Sequence, residues 1–166
     1  PYVDALDIDL FLSADVKDVK MAIENNIAAA HIFTDKYKPS DSKQLRIGFD
    51  ADAVIFSDES EVTYKKKGLK TYLKEEGASK KPISPGPFNG FLKKLNLIQS
   101  EYSADKCPIR IALVTARAAP AHKRVINTLR KENIRIDETF FLGGLAKGKF
   151  LKGFSADIFF DDLTEN

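Results

Sequence analysis

Leu45-Arg46-Ile47-Gly48-Phe49-Asp50-Ala51-Asp52 is a mostly apolar run that stops on two carboxylates separated by one small residue. Residues two apart in extended backbone point to the same side, so the pattern predicts a strand with Asp50 and Asp52 projecting together from its end. Two carboxylates so placed repel unless something positive joins them. Outward from this stretch the same arrangement recurs: Ile109 to Val114 ends at Thr115, Phe140-Phe141-Leu142 runs into Gly143-Gly144, and Ile158-Phe159-Phe160 ends in Asp161-Asp162.

Helical patterns separate these runs. Asp9-Leu10-Phe11-Leu12 reads as a strand, Ser13 as the N-cap of a helix through about Asn25, and Ala28 to Phe33 as a second strand, together a βαβ unit. Asp35 to Gln44 reads as a loop, and Val125, Ile126 and Leu129 stand at helical spacing after Pro120 in a first-turn position. Gly148 to Gly153 is long enough for one or two helical turns. Strands alternating with helices predict an α/β fold, a Rossmann-like parallel sheet with helices on both faces, whose ligand crevice lies beyond the carboxyl ends of the strands. Residues 57–106 break the alternation, being rich in lysine, glycine, proline and serine, with helical patches at Tyr64 to Glu75 and Phe88 to Ser100. They read as a small inserted helical cap on a core formed by 1–56 and 107–166.

Composition narrows the possible functions. At 166 residues the chain suits one domain carrying an insertion, and no apolar run approaches the length that crosses a bilayer. A net charge of +2 provides no global field for nucleic acid or an acidic membrane, so neither is expected as a partner and any anion site must be local. The Lys65-Lys66-Lys67 run reads as a solvated helix turn. Cys107, the single cysteine, reads as a small packed side chain in a reducing, cytoplasmic setting. Pro1-Tyr2-Val3-Asp4 and a stop four residues after Asp162 read as the ends of a fragment or processed chain.

The carboxylates at two strand ends suit Mg²⁺, which takes hard oxygen ligands, with Asp161-Asp162 completing what Asp50 and Asp52 begin. Thr115 offers a hydroxyl at a strand-to-helix turn whose backbone N–H groups favour an anion, and Lys147 offers an ammonium between Gly143-Gly144 and Gly148. Charge and donors of this kind are what a phosphoryl group in transfer needs around its oxygens. Each residue alone has a plainer reading: a turn carboxylate, a helix N-cap, a surface lysine. Together they read as a phosphate site.

These residues resemble the haloacid dehalogenase superfamily. Phe49-Asp50-Ala51-Asp52-Ala53-Val54 looks like its first motif, Leu113-Val114-Thr115 like its second, Lys147 like its third and Phe160-Asp161-Asp162 like its fourth, in the same chain order. A closer resemblance is to the cytosolic 5′-nucleotidase type I family, carried by Asp9 to Ser13, Phe49 to Glu61, Leu113 to Arg117 and Ile158 to Asp162. Full-length members are longer at both ends.

The resemblance implies a Mg²⁺-dependent phosphatase that hydrolyses nucleoside 5′-monophosphates. Asp50 would be the nucleophile that becomes an aspartyl phosphate, and Asp52 the general acid and base. Magnesium would be held by Asp50, the main-chain carbonyl of Asp52 and Asp162, with Asp161 behind it. Thr115 and Lys147 would complete the catalytic set, and Ser57, Asp58, Thr115, Ala116, Arg117 and Phe88 would meet the substrate. Tyr64, Tyr72, Phe88 and Phe91 are the aromatics available for stacking on a base. His31, in an apolar run, is expected packed and hydrogen-bonded, and His122 on the polar side of a helix. The sequence specifies neither a base preference nor an oligomeric state.

Three other readings use the same residues. One is a phosphatase of the same superfamily acting on another small phosphometabolite. Another is a phosphorylatable receiver-like signalling module, although there the acidic pair precedes the phosphorylated aspartate, whereas here it comes last. The third is a nucleotide-binding protein without turnover.

Overall fold

The computed structural model describes residues 6–25, 27–32 and 43–162. Among these residues six strands and five α-helices follow one another as β1 (Phe11–Ser13), α1 (Val16–Glu24), β2 (Ala29–His31), β3 (Leu45–Phe49), α2 (Glu59–Ala78), α3 (Asn89–Ser100), β4 (Ile109–Thr115), α4 (His122–Lys131), β5 (Glu138–Phe141), α5 (Gly148–Phe154) and β6 (Ile158–Phe160). Four strands form one all-parallel sheet in the order β5-β4-β3-β6. The chain moves outward from β3 through β4 to β5 and then crosses back to set β6 on the far side of β3. All four strands therefore end along one edge, and β3 and β6, which carry the acidic termini, are neighbours there.

Helices cover both faces, as expected of this fold class. Along β4, Ile111 and Leu113 pack with Phe49, Leu92, Leu95, Val125 and Leu129 on one face, while Ala112 and Val114 pack with Leu142 and Phe154 on the other. A strand buried on both sides needs this unbroken apolar run, because helices shield each of its faces from water. Phe49 anchors the first face, with the rings of Phe160, Phe91 and Phe88 at 5.2, 6.3 and 6.5 Å.

The N-terminal βαβ unit is present but forms its own two-stranded parallel sheet, Phe11 opposite Ala29, joined to the main core through Leu10, Ala28 and Ala30. Its helix is capped by Asp15, whose carboxylate accepts from the Lys17 N–H at 2.8 Å; Ser13 instead ends β1 and accepts from the Asp15 N–H. Both are good capping residues, and extended pairing with β2 claims Ser13. Phe33 and most of the expected loop from Asp35 to Gln44 lie outside the described residues. Pro120 precedes α4 rather than opening it.

Within residues 57–106, α2 is kinked at Gly68 and α3 buries Leu92 and Leu95 in the main core. Helix α3 thus covers the sheet as the crossover from β3 to β4. Residues 57 to 84 leave and re-enter the core through a narrow stem: Phe56 bridges Pro85 in antiparallel fashion, the Ser57 N–H donates to the Ser84 carbonyl at 2.8 Å, and the Gly86 N–H to the Ile55 carbonyl at 2.8 Å. The stem is tight enough that a Cβ on Gly86 would overlap the Phe56 carbonyl oxygen and lie 2.5 Å from that of Val54. Gly86→Ala should therefore lower stability by on the order of 3 kcal/mol in denaturant unfolding; an unchanged midpoint would contradict the close backbone approach.

Candidate active site

The turn after β3 sets the site. The Asp50 N–H donates to the Phe160 carbonyl at 2.9 Å, which carries the ladder between β3 and β6 one residue past the strand. Ala51–Ile55 then makes a single wide π-type turn, closed by the Phe56 N–H on the Ala51 carbonyl at 2.9 Å, with Ala53 at φ 59°. Asp52 sits inside this turn. The alternation that would place Asp50 and Asp52 side by side stops with β3, and the two carboxylates take different partners.

Asp50 faces β6. One carboxylate oxygen each from Asp50, Asp161 and Asp162 lie within 4.8 Å of one another, the one such carboxylate group among the described residues. The Lys147 ammonium enters from the start of α5, 3.1 Å from Asp50 and 3.0 Å from each oxygen of Asp161. Burial pushes Asp50 up to about 6, against the lowering effects of Lys147 and of the Ala51 N–H that donates to its Oδ1 at 2.7 Å. Burial also raises Asp162, reinforced by Asp161, while Lys147 is held above its usual value because Asp50 and Asp161 outweigh its own burial. Three carboxylates against one ammonium leave an excess of negative charge, which suits a divalent cation.

Asp52 faces β4. Arg117 holds it in a two-pronged pair, Nε to Oδ2 at 2.8 Å and a terminal nitrogen to Oδ1 at 2.6 Å. The other terminal nitrogen of Arg117 donates to Glu76 at 2.6 Å; the second Glu76 oxygen accepts from Arg124 at 2.6 Å, and Arg124 continues to Glu59. Arg117, Glu76 and Arg124 are all buried. Burial opposes the Arg117 charge, but Asp52 and Glu76 outweigh it and raise its pKa further.

The remaining predicted residues divide. Thr115 is buried at the end of β4 and its hydroxyl accepts from the Arg117 N–H at 3.3 Å; Ala116 is exposed in the turn between them. Ser57 and Asp58 line an open cavity of about 620 Å³ beside the turn, together with Ala53, Gly86 and Asn89, whose amide nitrogen is buried without a partner. Phe88 is only 6% exposed, its ring 4.8 Å from that of Phe160, so it presents no face to a base. Tyr72 is likewise buried, whereas Tyr64 is exposed on α2. His31 bonds to the Ala14 carbonyl at 3.0 Å, and His122 is half-buried with its ring 5.2 Å from Phe141 rather than on an open polar face. The larger groove, about 830 Å³ between α3 and residues 129–135, contains none of these residues.

The sequence matches the 5′-nucleotidase family over residues 1–166. The chain belongs to that family. It is 41% identical over 168 residues to human cytosolic 5′-nucleotidase 1B, an alignment covering 97% of this chain and 28% of the relative. It therefore spans little more than a quarter of the length of that relative. No solved structure matches it.

Glu76, Arg124 and Glu59 are site residues that sequence reasoning missed. Their faint signal is helical spacing, with Glu76 four residues after buried Tyr72 on α2 and Arg124 four before buried Thr128 on α4. The raised Asp50 yields a prediction with a definite sign. Its folded value near 6 lies above the ordinary 3.8, so folding takes up a proton between those values. The stability this contributes is present below about pH 4 and lost as pH rises through 6. With a chelator present, Asp50→Asn should unfold later than the parent at pH 8 by roughly 2–3 kcal/mol, and the gap should close near pH 4. A variant no more stable at pH 8 would mean that the buried charge carries no penalty.

Proposed function

We propose that this chain forms the catalytic centre of a 5′-nucleotidase that hydrolyses nucleoside 5′-monophosphates to nucleoside and phosphate. The observation that carries this reading is the placement of Asp50, backed by Lys147 and flanked by Asp161 and Asp162, at the shared carboxyl edge of four parallel strands in a member of this family. Asp50 would attack phosphorus while the bond to the ribose 5′-oxygen breaks, forming an aspartyl phosphate, and Asp52 would give that oxygen a proton. Asp52 would then take a proton from the water that attacks phosphorus and frees Asp50, so that one water is consumed and one phosphate released.

Asp50, Asp162 and the main-chain carbonyl of Asp52 would hold Mg²⁺, with Asp161 orienting Lys147 behind them. The cluster fits such an ion by its oxygen donors and surplus negative charge. When bound, the ion draws charge from the phosphoryl oxygens. Lys147 would meet the same oxygens from the other side, and Thr115 with the N–H of Ala116 would receive the rest. Ser57 and Asp58 would line the substrate's entry.

A cap is proposed over residues 57 to 84, the part of 57–106 that lies outside the stem. Its first half carries exposed Lys65, raised by Glu61 first and also by Asp162 and Asp58. Exposed Tyr64 on that stretch is the aromatic best placed to stack on a base. The name of the human relative and the single buried, unbridged Cys107 support a cytoplasmic setting. No helix among the described residues is long and apolar enough to cross a membrane.

The test is phosphate release from a panel of nucleoside monophosphates and sugar phosphates, with and without Mg²⁺. Nucleotides should be preferred and chelation should abolish turnover; equal rates on sugar phosphates would sink the nucleotide reading. Asp50→Asn should bind nucleotide yet release no phosphate, a fall of at least about 10³-fold in rate.

A further inference from the structure

We propose that Glu76 is a positioning residue for Asp52, acting through Arg117: the buried Glu76 carboxylate fixes the guanidinium fork that in turn fixes the plane of the Asp52 carboxylate. This rests on the reading of Asp52 as the proton carrier. Arg117 spends one edge of its guanidinium on the two Asp52 oxygens, at 2.8 and 2.6 Å, and its remaining terminal nitrogen on Glu76 at 2.6 Å. Its side chain is 2% exposed while that of Asp52 is 20% exposed. Water therefore reaches the carboxylate but cannot replace a lost partner of the arginine. Rotating Arg117 away from Asp52 would take from Glu76 one of its two arginine partners, and removing Glu76 would leave Arg117 and Arg124 without the carboxylate that stands between them.

Glu76 is itself held from the opposite side. Arg124 donates to its second oxygen at 2.6 Å and is anchored by the Lys81 carbonyl at 2.9 Å and by Glu59. Glu59 is held below the usual carboxyl value because Ser84 and Arg124 outweigh the raising effect of its burial. Signs alternate along the whole row: Asp52, Arg117, Glu76, Arg124, Glu59. The backbone spacing that lets the row close is set next door, where Gly77 brings α2 against Pro120; a Cβ there would lie 2.7 Å from the proline Cγ.

Stability alone is a poor reason for such a row. Desolvating several charges costs about as much as their attraction returns, and apolar residues of similar volume commonly serve a core as well or better. What the row does supply is orientation, since both oxygens of Asp52 and all three nitrogens of Arg117 are assigned. Proton transfer to a leaving oxygen depends steeply on such placement.

The test compares one nucleoside 5′-monophosphate with its analogue carrying sulfur at the bridging 5′ position. The thiolate leaves without a proton, so loss of a well-placed acid affects only the oxygen ester, whereas a generally damaged site loses both. Glu76→Gln, folded by its melting curve, should lower kcat/KM for the oxygen ester about 10–100-fold with little change in KM and leave the thio-ester within about threefold. Glu76→Asp, which keeps the charge, should restore part of the loss. Asp52→Asn is the reference for the selective pattern. If Asp52→Asn is selective but Glu76→Gln lowers both substrates equally, or neither, Glu76 has no positioning role. If Asp52→Asn shows no selectivity, the proton-carrier reading falls and takes this inference with it. Should Glu76→Gln not fold, Arg124→Lys, which loosens the far anchor of Glu76, takes its place: a loss confined to the oxygen ester supports the positioning role, and an equal loss on both substrates, or none, overturns it.

Discussion

The Lys147 ammonium is the charge on which the strand edge depends. It lies 3.1 Å from Asp50 and 3.0 Å from Asp161, and so joins the ends of β3 and β6 where their carboxylates would otherwise drive them apart. Two unit charges 4 Å apart interact by about 4 kcal/mol at the effective dielectric of a protein surface. Without a counter-charge, carboxylates this close would take up protons rather than stand ionised together. Lys147 reaches this position because it precedes α5, the helix that carries the chain from β5 at one margin of the sheet to β6 at the other. The segment that reorders the strands is thus also the one that brings a counter-charge to the cluster.

A second set of charges is organised independently of the first. Asp50 and Asp52 are two residues apart, yet the turn at Ala51–Ile55 sends one toward Lys147 and the other toward Arg117. Burial raises Asp50, while both oxygens of Asp52 accept from the Arg117 guanidinium. Two carboxylates separated by a single alanine thus have different surroundings, the condition under which a pair of identical groups takes on different chemical tasks.

Periodicity and strand ends carry much of this fold in the order of its residues. Leu45–Phe49 and Ile109–Thr115 are strands because Ile47 and Phe49 of the first and Ile111 to Val114 of the second are buried on the sheet, and the polar residues at their ends gather at one edge, as expected for a parallel α/β fold. The carboxylate cluster followed from that edge. The partners of Arg117 did not, because Asp52 and Glu76 lie 65 and 41 residues away and nothing local distinguishes a buried arginine from one at a helix start. Phe88 shows the same limit: an aromatic near a lysine-rich stretch looks available to a ligand, but α3 turns it onto Phe49 and Phe160. The N-cap passed from Ser13 to Asp15 for a related reason, since pairing with β2 is a tertiary demand that local preference does not contain.

The stem at Phe56 and Pro85 has an evolutionary consequence. A segment closed on itself at its root can gain or lose residues at little entropic cost, since loop closure grows only logarithmically with length, and the sheet beneath is indifferent to the change. Such a segment can change in length without refolding the strand edge that carries Asp50, Asp161 and Asp162. Glu76 limits that freedom, because a replacement that fails to return an acid to Arg117 would remove one of the two carboxylates that hold the guanidinium, the other being Asp52.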